Sequence, residues 1–202
     1  MPNASLTIDG TEVIRKASGV TTLKNTNIDI DSNVQFPTGM VLQTVALSSN
    51  TLWDMNINTS FTTIHSSNDI LYLPITPKRA DSNLLLNWSI NFNNPASGYY
   101  LLHFRLHDVT NDTNPDLGDS VNASSRNLTT LARRFNDYDS NSLDQIQLTS
   151  LVPANNTTAR TYRIEGRVEQ GSRTLKFNHT SNNNSIYGAV MVSYAYAMEI
   201  AA

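Results

Sequence analysis

The chain of 202 residues has no cysteine. That excludes disulfides, thiolate metal sites and a cysteine nucleophile. Charge is scarce and nearly balanced, with 14 basic and 17 acidic residues and a net charge of −3. Such a balance points away from nucleic acid and from a polybasic membrane contact. No apolar run approaches the length of a membrane span, so membrane insertion is not expected. The opening stretch MPNASLTIDG lacks a basic segment followed by an apolar one, and no secretory signal is expected there. Glycine-rich phosphate loops, Gly-x-Ser-x-Gly and His-Glu-x-x-His are all missing. With them goes any catalytic signature, so neither an enzyme nor a cofactor is expected. A glycan-degrading pair of carboxylates is the one enzyme class that sequence leaves open.

Asparagine, serine and threonine take the place of charge. Asparagine alone is about one residue in eight, well above ordinary usage. These residues suit turns and sheet surfaces and work against long helices. Asn-X-Ser/Thr triplets at Asn87, Asn122, Asn127 and Asn156 are a chance product of that composition.

The organising stretch is Asp69–Asn93, two strands joined by a polar turn over Pro74–Asn83. In the second strand Leu86, Trp88, Ile90 and Phe92 alternate with Asn87, Ser89, Asn91 and Asn93. Period two places the apolar four on one face of a sheet and the polar four on the other. Further strands are expected at Met40–Leu47, Asn56–His65, Tyr99–His107 and Asp144–Val152. Arg160–Glu169 and Thr174–His179 read as a hairpin about Gln170-Gly171-Ser172, with Arg163, Glu165, Arg167 and Glu169 as a row in water. Asn122–Phe135 has weak helical spacing through Leu128, Leu131, Ala132 and Phe135, so a short helix competes with an irregular segment. Ile186–Ile200 reads as the longest strand. Its small residues Ser193, Ala195 and Ala197 share one parity, and a neighbouring subunit is expected against them. The strand count and turn chemistry predict an all-β, jelly-roll-like antiparallel sandwich over residues 37–202.

Residues 1–36 form a separate N-terminal stem. Leu6 and Ile8 lead into Asp9-Gly10, a hairpin dipeptide, followed by Val13 and Ile14. Ile28, Ile30, Val34 and Phe36 share one parity. They are too few to form a core alone, so the stem is expected to meet copies of itself through these four residues or to pack back on the main domain.

Four segments carry a family likeness: NVQFPTGMVLQTV (33–45), LPITPKRADSNLLLNWSINF (73–92), SLVPANNTTARTYRIEGRV (150–168) and AYAMEIAA (195–202). In order and spacing they resemble the short tail-fibre and virion structural proteins of tailed bacteriophages, especially marine and cyanobacterial ones. The resemblance covers roughly residues 33–202. It implies a trimeric, jelly-roll-like knob on the virion surface, assembled in the host cytoplasm and attached by the N-terminal stem to capsid, tail or adaptor proteins. A host surface glycan is the expected outside partner. A capsid decoration protein that stabilises the shell is the alternative within that class; a secreted lectin-like or C1q/TNF-like trimeric domain is the alternative outside it.

Few residues suggest a site. His103 and His107 lie about 13 Å apart along one strand, too far to chelate one ion, and with His65 and His179 they read as solvent-facing. The loop Asp108–Asp119 has four aspartates and two asparagines, but not the spacing of a calcium loop. Tyr99, Tyr138 and Tyr187 flank Asn-rich loops and are weak candidates for stacking on a sugar, against ordinary packing.

Overall fold

A computed structural model describes residues 4–8, 11–17, 20–23, 37–64, 71–93, 100–115, 129–135, 143–181 and 188–202. The chain divides into two compact units, Met1–Phe36 and Pro37–Ala202. In the first, β1 (Ala4–Ile8), β2 (Thr11–Ala17) and β3 (Val20–Leu23) form a three-stranded antiparallel sheet. The β1–β2 hairpin closes between Ile8 and Thr11, around the Asp-Gly dipeptide. Ile28, Ile30, Val34 and Phe36 lie outside the described residues.

The second unit is an all-β sandwich of jelly-roll-like type. Its strands are β4 (Val41–Ser49), β5 (Trp53–Asn58), β6 (Thr62–Thr63), β7 (Leu73–Ile75), β8 (Asn83–Asn93), β9 (Tyr100–Asp108), β10 (Leu131–Phe135), β11 (Asp144–Pro153), β12 (Arg160–Val168), β13 (Ser172–Phe177) and β14 (Ser193–Ile200). One sheet runs β10-β9-β12-β6, with β7 also on β12; the other runs β4-β14-β8-β13-β5, with β11 also on β8. Every pairing is antiparallel.

Strand β8 is the spine. Leu86, Trp88, Ile90 and Phe92 are fully buried, as their alternation requires. Phe92 meets Phe104 of the facing sheet edge-on at 6.4 Å and Phe177 at 6.1 Å. The Trp88 indole N–H donates to the Leu71 carbonyl at 3.2 Å, which satisfies its polar edge inside the core. From β12, Tyr162, Ile164 and Val168 enter the same core. Gly166 lies between them, where a Cβ would stand 3.0 Å from Ile64 and 3.2 Å from Phe104.

Several expectations are corrected. The stretches 160–169 and 174–179 do not form a hairpin: β12 pairs with β9, and β13 pairs with β5 and β8 in the other sheet. The turn at Gly171 (φ +69°) therefore crosses the sandwich, which lets Val168 and Leu175 face one core from opposite sides. The strands flanking the turn 76–82 likewise belong to different sheets. Leu131–Phe135 is a strand on β9, not part of a helix; pairing along β9 overrides its weak helical spacing. The stretch 56–65 is interrupted after Asn58, and its second piece is only Thr62–Thr63.

Strand β14 is also shorter than expected, and its small residues face inward. Ser193, Ala195 and Ala197 are buried within the protomer and so are not a subunit contact. Ala195 lies beside Trp88 and Ala197 beside Leu86 in the ladder. Cross-strand neighbours share a face, so the bulk of Trp88 leaves room only for small side chains on β14.

Candidate assembly surfaces

The turn between β7 and β8 was expected to reverse over water. Instead it closes on a buried carboxylate. Glu199 is fully buried and shares the inward parity of Ala195 and Ala197. Its oxygens accept from the Lys78 and Arg79 amides (2.9 Å each), the Ser82 hydroxyl (2.6 Å) and the Gln43 side-chain amide (2.6 Å). Burial pushes this carboxyl up, but the donors of Lys78, Ser82, Gln43 and Arg79 together hold it below the usual range. The same Gln43 amide reaches the Thr76 carbonyl. Thus the Ile-Thr-Pro turn and the closing Met-Glu-Ile, remote in sequence, form one latch.

A second internal polar group stands at Asn178, buried and left-handed at φ +61°. Its amide donates to the Ser49 and Thr51 carbonyls, and its oxygen accepts from Ser193 at 2.5 Å. Asparagine is one of the few residues that tolerate this backbone conformation.

The outer face of the β9–β12 sheet is charged and centred on a buried carboxylate. Glu165 is 5% exposed. It accepts from Arg105 at 2.7 Å and from Arg163 at 2.7 Å, and His107 lies 4.0 Å away. Burial raises this carboxyl, but the Arg163 and Arg105 hydrogen bonds, with the charges of His107 and Arg105, hold it below its ordinary value. The Arg105 guanidinium also covers the Phe61 ring at 4.0 Å. Of the row read as lying in water, Glu165 is therefore buried, Arg163 and Arg167 are half-buried, and Glu169 is exposed. His103 and His107 are buried rather than solvent-facing. Burial, with Arg167 nearby, lowers the pKa of His103. His107 also approaches Asp112 at 3.4 Å, and His179 lies 2.9 Å from Asp54. His65 is outside the described residues.

The opposite outer face, across β4, β14, β8 and β11, is different in kind. Outward positions on β14 are Tyr194, Tyr196, Met198 and Ile200. On β8 they are Asn83, Leu85, Asn87, Ser89 and Asn91; on β11, Gln145, Gln147, Thr149, Leu151 and Pro153; on β4, Val41, Thr44, Ala46 and Ser48. None of these carries a charge. The ladder sets Leu151 beside Leu85 and Leu85 beside Met198. Leu151 is 60% exposed, Tyr194 52% and Val41 47%. Polar side chains here bond sideways: Asn87 donates to Thr149 at 2.6 Å, Gln145 to Asn91 at 3.2 Å, and Asn91 to the Val192 carbonyl at 2.7 Å. Asn87, on the polar face of its strand as the alternation requires, is only 9% exposed as a result.

A polar cavity of about 340 Å³ sits where β9, β11 and β12 end, lined by Asp108, Asn111, Thr113, Pro153, Asn155 and Arg160 among others. Asp108 is spent on its own loop, accepting from the Thr110 and Asn111 amides and the Asn111 side chain. Arg160 donates to the Ala154 carbonyl and the Tyr162 hydroxyl. Among the described residues no cluster of three His, Asp or Glu side chains could hold a metal. Asp116 and Asp119, with Tyr99, Tyr138 and Tyr187, lie outside the described residues. No helix among the described residues is long and apolar enough to cross a membrane.

Sequence reasoning missed Glu199, although its signal was present: a charge on the parity of Ala195 and Ala197 must be buried or reverse the face. Asn178 and the burial of Glu165 had no comparable signal, because each depends on partners remote in the chain.

No protein-family model matches this sequence, and no curated protein matches it. Solved structures of infectious bursal disease virus do match. The Gt strain structure is 10% identical with a TM-score of 0.37, over 92% of this chain and 48% of that one. The VP2 subviral particle is 12% identical with a TM-score of 0.35, over 88% and 43%. The Gx strain structure is 12% identical with a TM-score of 0.35, over 94% and 43%. This chain thus spans less than half of the chains it matches, and at that score the overlay does not define a shared fold.

Proposed function

We propose that this protein is a non-enzymatic virion surface protein of a tailed bacteriophage, a homotrimer held to the particle by residues 1–36 and presenting its sandwich toward the host surface. The observation that supports this reading is the division into two units. The sandwich has a core of its own, running from Ile57 to Ala197 among the described residues. The small sheet of β1–β3, as a separate unit, is the part assigned to attachment to capsid, tail or adaptor proteins. The sequence resemblance points the same way, with host glycan as the outside partner, assembly in the host cytoplasm and no cofactor.

A second reading, a capsid decoration protein, is favoured by the shortness of β1–β3, whose strands run four to seven residues. Added to particles that lack it, the full chain is expected to bind, while residues 37–202 fold but stay in the supernatant. Binding by 37–202 alone would overturn the attachment role. Particles restored in host adsorption support the first reading; particles restored only in heat resistance support the second.

A further inference from the structure

We propose that the uncharged outer face of β4, β14, β8 and β11 is the surface through which copies of this chain contact one another. The inference rests on the trimeric reading above and names the surface that reading left open. It replaces the inward-facing Ser193, Ala195 and Ala197 with the outward row of the same strand.

Three observations select a second copy as the occupant. First, the face has no charge, although the opposite sheet displays arginine, histidine and glutamate. A nucleic acid or a charged protein finds no partner group here. Copies of one chain, by contrast, meet around an axis, so any charge near it faces its own like. An uncharged face avoids that repulsion, and depletion of charge is the compositional mark of an interface core.

Second, four of the polar side chains at the centre of the face are already paired within the sheet, through Asn87–Thr149 and Gln145–Asn91. Covering them strands few donors, whereas the exposed Leu151 and Tyr194 gain by being covered.

Third, the size fits. Four strands at about 4.8 Å spacing and eight residues at about 3.3 Å rise give roughly 500 Å² of flat area. Corrugated by Tyr194 and Leu151, and extended by the exposed Val190 and Val192, this approaches the roughly 800 Å² per partner of a stable contact.

The test uses the full chain at micromolar concentration, with light scattering for mass and Trp88 emission for folding. Leu151→Glu and Tyr194→Glu place a charge that would meet its own copies; Gln147→Glu does so at an exposed polar position that no packing depends on. Gln170→Glu, in the turn before β13, is the control. The expected result is a trimer of 22.4 kDa subunits for the parent and for the control. The three face variants are expected to dissociate at least tenfold more readily while remaining folded. Gln147→Glu keeps the test decisive should either larger change impair folding. A parent trimer whose folded face variants remain trimers overturns this surface and leaves the trimeric reading intact. A parent monomer that still binds particles overturns both the self-contact and the trimeric reading, and leaves only the attachment role standing. A parent monomer in which Tyr194 resists nitration until residues 1–36 are removed assigns the face to the N-terminal unit instead, and also overturns the proposal.

Discussion

The two sheets share one core and turn opposite surfaces outward. On the β9–β12 sheet, Arg105, Arg163 and His107 gather around the buried carboxylate of Glu165. Across β4, β14, β8 and β11 of the other sheet no outward residue is charged, and leucine and tyrosine stand exposed. A face with charges paired around a buried carboxylate has its main electrostatic demand met within the protomer; a face with exposed apolar surface does not. The difference teaches that the alternation of polar and apolar residues, equally regular in both sheets, does not say which outer face meets water. The kind of polar residue does.

The largest expected effect tests Glu199, the charge that β14 keeps on its inner side. Glu199→Gln is expected to cost about 3 kcal/mol in urea unfolding at pH 7, since one amide cannot accept from all the donors of the latch. The sign with pH follows. A carboxylate held below its ordinary value near 4.5 contributes fully above that value and loses the contribution as pH falls through its folded value. The gap between parent and variant should therefore narrow below pH 4.5; a gap that widens on acidification would contradict the latch.

On the charged face, Glu165→Gln is expected to cost about 2 kcal/mol, because Arg105 and Arg163 lose their shared acceptor. An equal loss in Arg105→Gln and in the double variant, measured as a thermodynamic cycle, would confirm coupling; additive losses would dissolve the network.

Gly166→Ala tests the inner side of the same sheet. The added methyl must displace Ile64 or the Phe104 ring, at about 1 kcal/mol, without altering the mass in solution. The smallest effect belongs to the uncharged face. Asn87→Ser is expected to lose its bond to Thr149 and about 0.5 kcal/mol. A cost above that of Glu165→Gln would reverse the contrast between the faces.

Much of the fold is legible along single strands. Leu86, Trp88, Ile90 and Phe92 announce their burial, and β11 falls almost where its pattern places it, because each depends only on period two. What fails is pairing. The stretches beside Gly171 look like a hairpin, but which sheet a strand joins is set by cores far away in sequence. The face of β14 was misread for the same reason: Ala195 and Ala197 are small because Trp88 and Leu86 lie beside them, and no local pattern carries that fact. Local signals placed Asp108 in a loop, but could not show that its carboxylate serves the loop's own amides.

Strand β14 is the last described strand, yet it lies between β4 and β8 rather than at an edge. During synthesis, β4 and β8 emerge from the ribosome long before the strand that belongs between them. Until it arrives, Trp88 lacks its Ala195 neighbour and the 76–82 turn lacks Glu199. The nascent sandwich must therefore wait with an open slot, its two flanking strands exposed to pairing with strands of neighbouring chains. Ribosomes making copies side by side on one message would bring such slots together, so the protein's yield should depend on how quickly β14 is translated.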